Sequence, residues 1–446
     1  MKKINYILIL LFVLGCSSTE KLYYAAPSVL PHTDRMMKTP GFWISRHPDP
    51  DKIILSSEEI KHFNARVASE LKLTKDITTL ANFSGRELLT SLQNSLNDFS
   101  WKELFLRDGR RVKAEFFSQI KTNMNFAAIP FNIKPQYGFI VHYAHQRFFP
   151  TDEELMEKRL DIDFDEIQNS ALDVGTPVRI LHKSRDGKWV YVESASSDGW
   201  VKVNEVALGS LSQVKHFLKD EPFVIVVRPK ADIFLDEKRT QYYDSGQMGA
   251  QFPVLSKNDG VMAISLPTRR EDGILIFKTG YLKLSEVHQG YLPYTPRTMI
   301  EQAFELLSAP YGWGGMYGEQ DCSRYLQEIF STVGINLPRN SSAQGKVGQL
   351  IAQLDKRPTE QKRDVLKKTA IGGITILQLK GHILLFLGMV DERPFAIHAA
   401  WAYRQKGFTH DMVRVINRVV VSDLYLGEGS RKGSLLDRLV IVRMIK

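Results

Sequence analysis

A chain of 446 residues is too long for one compact domain and points to several. With 43% apolar and 24% charged residues and no low-complexity tract, it is neither disordered nor fibrous. The net charge of +9 is spread along the chain and accompanies no nucleic-acid motif, so it reads as a basic solvated surface, with no nucleic-acid partner expected. Two cysteines, Cys16 and Cys322, are too few for a disulfide scaffold and lack metal-type spacing. Each therefore needs its own explanation.

The N-terminus reads as an address. Lys2 and Lys3 precede an apolar run, Ile4 to Val13, broken only by Asn5 and Tyr6. That run is too short to span a bilayer and suits the core of a signal peptide. It ends in Val13-Leu14-Gly15-Cys16, which resembles the bacterial lipobox. The expectation is a signal peptide over 1–15, lipidation at Cys16 and a polar tether starting at Ser17. The mature chain would then be extracytoplasmic, in the periplasm or cell envelope, and anchored to a membrane through lipid.

Residues 16–135 comprise this tether and a mostly helical region. Ser56 and Glu59 have capping-box spacing before Ile60, Phe63 and Val67, and Ser84 and Glu87 repeat it before Leu88 and Leu92. His47, Asp51 and His62 are too scattered for a metal site. Residues 136–212 change to short strands separated by turns: Val178 to Ile180, a turn at Asp186-Gly187, Trp189 to Val192, and Gly199 to Val203. This pattern resembles bacterial SH3 domains. Trp189 and Trp200 would either line a groove or, at least as readily, fill the barrel core. Residues 213–292 repeat the theme more weakly, with Phe223 to Val227, Phe252 to Leu255 and Gly280 to Leu282, which suggests a second barrel. Two prolines between Tyr291 and Pro296 mark the entry to a final domain, 293–446.

The chemistry concentrates in that last segment. Tyr311-Gly312-Trp313-Gly314-Gly315 precedes Asp321-Cys322-Ser323, and apolar residues at 325, 326, 329, 330 and 333 mark a helix that Asp321 caps. Cys322 then lies in the first helical turn, where free N–H groups and the helix dipole favour a thiolate and can hold an oxyanion. His382 opens the apolar run to Gly388, and Pro394 to Ala399 reads as the next strand of a hairpin turning at Asp391 to Arg393. Such a hairpin brings His398 towards His382, giving nucleophile, base and orienting residue in a papain-like order.

On these motifs, residues 297–446 resemble the NlpC family of cell-wall cysteine peptidases, and with two SH3-like barrels the likeness extends to the subgroup acting on γ-D-glutamyl-diamino acid bonds. The implied architecture is multi-domain α+β: an N-terminal helical segment, two small SH3-like barrels and a papain-like peptidase domain. The resemblance implies Cys322 as nucleophile, His382 as base, His398 as third triad member and Tyr311 near the oxyanion. It places Asp321, Ser323, Trp313 and Ser341 along the substrate cleft, with Asp321 receiving the free amine of an N-terminal L-alanine. The expected substrates are peptidoglycan stem peptides, with no metal or organic cofactor, and the expected state is a monomer. Arg324 stands where the family often has glycine, and Gly372 to Gly381 replaces the usual Pro-Gly-Asp-Leu turn. A catalytically silent wall-binding lipoprotein and a papain-like acyltransferase or amidase are the competing readings.

Overall fold

The computed structural model describes residues 23–79, 83–219 and 221–446; the expected signal peptide and Cys16 lie outside them. No helix among the described residues is long and apolar enough to cross a membrane. Three seven-stranded sheets dominate, two in the middle of the chain and one in its C-terminal part.

The first middle sheet runs from Gln136–Ile140 to Val206–Gly209. Its centre is the antiparallel ladder of Pro177–Lys183, Trp189–Glu193 and Asp198–Lys202, built from the alternating segments seen in the sequence. Trp189 and Trp200 are 4% and 0% exposed, so they are core and not groove. The second sheet spans Phe223–Val226 to Val287–Gln289. In both, the strand carrying the Gly-aromatic pair (Gly199-Trp200 or Gly280-Tyr281) leads through a short 3-10 turn into a closing strand. The weak repeat in sequence is thus a repeat in topology.

The C-terminal sheet orders its strands Tyr23–Ala25, Met412–Asp423, Arg393–Gln405, His382–Val390, Thr375–Leu379, Leu439–Met444 and Gln349–Gln353. Helices Pro296–Glu305 and Cys322–Ser331 pack on one face; Ile300, Tyr325, Leu326 and Ile329 share a core with Ile383, Leu385 and Ile397. The hairpin between His382–Val390 and Arg393–Gln405 turns on Asp391 and Glu392, both at positive φ (46° and 64°). The charged stretch after Lys356 forms helix Thr359–Thr369.

The N-terminal helices differ from a self-contained domain. Helices Pro40–Ile44 and Ser57–Ser69 bury Trp43, Ile44, Ile60, Phe63 and Val67 in the core of the C-terminal domain. Helices Gly85–Ser100 and Ala114–Asn123 bury Leu88, Leu92, Phe117 and Ile120 against Trp189, Tyr191 and Trp200 of the first barrel. Each pair has one apolar face and too little partner surface of its own, so it borrows a neighbour's core. Asp51 pairs with Arg297 through two hydrogen bonds.

Candidate active site

Asp321 caps helix Cys322–Ser331 as its sequence position dictates, with its side chain accepting from the N–H groups of Ser323 and Arg324. Cys322 is therefore the first helical residue. Its thiol also takes stabilisation from the N–H of Ile383, the residue after His382, which puts the helix terminus beside the start of strand His382–Val390. The two histidines meet: Nε2 of His382 lies 2.7 Å from Nδ1 of His398, and Nε2 of His398 lies 3.0 Å from the Ser422 hydroxyl. Ser422 extends the relay from the facing strand, where it pairs opposite Ala396. Sequence reasoning missed it, because a lone serine ending an apolar strand carries no motif.

Asp321, the residue expected to receive a substrate amine, is already engaged. Arg339 approaches both its oxygens, at 2.6 and 3.2 Å, while Ser323 donates its hydroxyl to Oδ1 and Gly314 its N–H to Oδ2. Burial opposes the ionised carboxyl, but Arg339 and the N–H and hydroxyl donors outweigh it and hold Asp321 below the usual carboxylate range. The same guanidinium donates to Ser170 of the first barrel at 2.8 Å. Arg324, in the place of the family's glycine, acts similarly one turn along. It donates to Glu328 at 2.8 Å, to the Ala171 carbonyl at 2.7 Å and to Asp173 at 2.8 Å. Two buried arginines thus fix helix Cys322–Ser331 to the barrel.

The electrostatics of the thiol depart from the sequence expectation. Burial, and after it the Asp321 carboxylate, pushes the Cys322 thiol up to about 12, against the pull of the Ile383 and Ser323 N–H groups. Burial likewise lowers His382 to about 3, with Arg438 and Lys432 adding to it. Both shifts favour the uncharged forms, thiol and imidazole. Tyr311 is pushed well up by burial and then by Cys322 and Asp321, so its hydroxyl keeps its proton and remains a donor.

A cavity of about 630 Å³ opens over the thiol. Tyr311, Trp313, Asp321, Cys322, Ser323 and Ser341 all line it, so the expected cleft residues share one space; His382 and His398 do not line it, and Gly381, just before His382, does. The opposite wall comes from the first barrel, through Glu166, Gln168, Tyr191 and Asp198, and from Ser91 and Ser95 of helix Gly85–Ser100. Trp313 is set by donating its indole N–H to the Asp165 carbonyl at 3.0 Å. Glu166 is pushed up to about 7 by burial, then by Glu157. A smaller cavity of about 240 Å³ lies behind the nucleophile helix, against Arg324 and Glu328, and Cys322 does not reach it. Among the described residues, no His, Cys, Asp and Glu cluster could hold a metal ion.

Comparison with known proteins fits this geometry. Residues 308–395 match the NlpC/P60 family and residues 156–202 match the SH3 domain of SH3b1 type. A Bacillus cereus protein named gamma-D-glutamyl-L-lysine dipeptidyl-peptidase is 24% identical over 212 residues, which is 44% of this chain and 59% of that one. The chain thus spans about three fifths of that relative's length. A solved NlpC/P60 endopeptidase from Photobacterium damselae subsp. piscicida has TM-score 0.74 at 20% identity, over 90% of this chain and 95% of that one, and shares the fold. A solved NlpC/P60 family protein from Bacillus cereus has TM-score 0.44 at 18% identity, over 62% and 82%.

Proposed function

From a multi-domain α+β chain that carries an SH3b-type barrel and a C-terminal NlpC/P60 domain of papain-like fold, we propose a cysteine peptidase that hydrolyses the γ-D-glutamyl-diamino acid bond of peptidoglycan stem peptides. The observation that carries it is Cys322 at a helix N-terminus, lining the cavity and stabilised by the N–H of Ile383, the residue after His382, whose ring joins the His382–His398–Ser422 hydrogen-bond relay. The name of the Bacillus cereus relative supports the choice of bond.

For His382 to act as base, its Nδ1 must be the free lone pair for the thiol proton; its Nε2–H then donates to Nδ1 of His398, and the Nε2–H of His398 to the Ser422 hydroxyl. Because thiol and imidazole are both neutral at rest, proton transfer accompanies attack on the γ-carbonyl of D-glutamate. The N–H groups of Ser323 and Arg324 are occupied by Asp321, so the oxyanion falls to the Cys322 N–H and the Tyr311 hydroxyl. His382 then returns the proton to the leaving amine of the diamino acid, and water hydrolyses the thioester.

Asp321, bound by Arg339, is a positioning residue in this scheme. A free N-terminal amine is met instead by Glu166, whose burial an ammonium group would offset. The test offers L-Ala-γ-D-Glu-diaminopimelate and intact wall to the protein and to Cys322→Ala, with products identified by mass spectrometry. Release of L-Ala-γ-D-Glu by the protein and none by Cys322→Ala is expected. Cleavage that survives the substitution would sink the assignment. Binding to wall without any product would favour the silent wall-binding reading.

A further inference from the structure

The short strand Tyr23–Ala25 runs parallel to Met412–Asp423, with Tyr23 opposite Val413. That register puts Tyr23 beside the tip of the hairpin joining Arg393–Gln405 to Met412–Asp423, whose last pair is Gln405 with Met412. The tip, 406–411, presents Phe408 with its side chain wholly in solvent (107% exposed). On the other side of Tyr23 lies a loop of the first barrel: Lys158 Nζ is 3.5 Å from the Tyr23 hydroxyl, and Leu160 and Ile162 beyond it are 63% and 43% exposed. Tyr23 itself is 44% exposed. Single exposed apolar residues are ordinary, but these four belong to three chain segments brought to one rim.

The charge around them is mainly positive. Lys158, Arg159, Lys406, Arg431 and Lys432 are all exposed. Arg431 is tied to the tip, donating its N–H to Asp411 and its guanidinium to the Thr409 carbonyl. Against them stand the exposed Glu157 and Glu428 and the half-buried Asp161, Asp163 and Asp411, of which Asp161 pairs with Lys158 at 3.3 Å. Aromatic and aliphatic tips among cations are the composition that enters the headgroup region of an anionic bilayer, where the rings are buried and the cations meet phosphate.

The place where the chain enters supplies the occupant. The residues before Tyr23 include the apolar run Ile4 to Val13 and Cys16, seven positions away. Seven extended residues reach at most about 25 Å, so a lipid on Cys16 would keep this rim within that distance of a bilayer.

We propose that the rim formed by Tyr23, Leu160, Ile162 and Phe408, with its surrounding lysines and arginines, lies against an anionic lipid surface and orients the anchored molecule on it. This rests on the anchoring expected of the N-terminus and is independent of the chemistry at Cys322. A lipid attachment alone leaves the molecule free to tumble on its tether; a second, weaker contact limits it to one face.

The test follows hydrogen exchange of the full chain, free and on vesicles of phosphatidylglycerol with phosphatidylethanolamine. Amides of 158–162 and 406–411 are expected to slow several-fold on vesicles, and the pair Leu160→Ser and Phe408→Ser to remove that protection. Vesicle-bound protein with unchanged exchange in both loops overturns the proposal, as does failure to bind vesicles. Protection without lipid that grows with protein concentration also overturns it, by assigning the rim to a second copy. Cleavage of the soluble tripeptide is measured in parallel. Lost protection with intact cleavage condemns the lipid face alone, and intact protection with no cleavage condemns the peptidase reading alone.

Discussion

Asp321 lies next to the thiol, yet its oxygens receive Arg339, Ser323, Arg324 and Gly314, so in the proposed scheme the ammonium group is met by Glu166, which lines the same cavity and whose only paired cation among the described residues is Lys102, at 4.0 Å. Glu166→Gln should raise KM for a tripeptide with a free amine about tenfold, equivalent to about 1.4 kcal/mol, and leave kcat nearly unchanged. The N-acetylated tripeptide, already poor, should show no further loss; equal losses for both substrates would show that Glu166 does not read the amine. The histidine pair gives a second expectation. Burial depresses both His382, to about 3, and His398, while the unfolded chain takes up protons near pH 6.5. Below 6.5 the unfolded state binds more protons than the native one, so stability is full above that pH and falls as pH drops towards 3. Each neutral buried histidine adds a slope of up to about 1.4 kcal/mol per pH unit. Thermal midpoints at pH 7 and pH 5 should therefore diverge, and His398→Gln should narrow the gap. An unchanged gap would mean that the imidazole charges on folding as readily as in the open chain.

At the scale of elements, helix Cys322–Ser331 shows what a sequence does and does not disclose. Its N-cap, its cysteine in the first turn and its amphipathic face are local, within a few positions of one another, and so could be read directly. The hairpin of His382 and His398 was legible for the same reason, since a turn at Asp391-Glu392 sets the register of both strands. Arg324 and Arg339 were not legible in their role. Their partners Ser170, Ala171 and Asp173 lie 151 to 169 positions earlier, and only folding brings them together. The departure at Arg324 was visible, but its meaning was not: it replaces a small residue with a three-way link between helix, Glu328 and barrel. Arg324→Gly would strand two carboxylates, half-buried Asp173 and buried Glu328, the latter already pushed up to about 8 by burial. Removing one partner of such a buried network costs about 3–5 kcal/mol, which urea unfolding would register as a lower midpoint. Adding Asp173→Asn and Glu328→Gln should recover much of that loss. If the triple variant is no better than Arg324→Gly, the cost comes from lost packing and not from stranded charge.

At the scale of the molecule, the C-terminal domain is completed by chain that precedes both barrels. Trp43 donates its indole N–H to the Met37 carbonyl and packs against Phe395, while Ile60, Phe63 and Val67 share a core with Ile300 and Phe330. The chain then crosses, through Lys75 paired with Glu193 and Asp198, to the first barrel, where helix Gly85–Ser100 supplies one wall of the cavity. Neither boundary is a simple bead on a string. This was hidden in the sequence because amphipathic helices declare that they have a partner, and not which partner. Residues 293–446 expressed alone would expose the surface that Trp43, Ile44, Phe63 and Val67 cover, at roughly 1.5–3 kcal/mol for each large apolar side chain left without burial. That sum approaches the whole stability of an ordinary domain. The fragment should therefore be poorly folded by circular dichroism and inactive, whereas the same fragment fused to residues 23–79 through a flexible linker should regain a cooperative melt. Regained folding should still not restore tripeptide selectivity, because Glu166, Tyr191 and Asp198 remain absent from the far wall. A fused fragment that both folds and keeps a preference for the free amine would locate amine recognition within the peptidase domain and return it to Asp321.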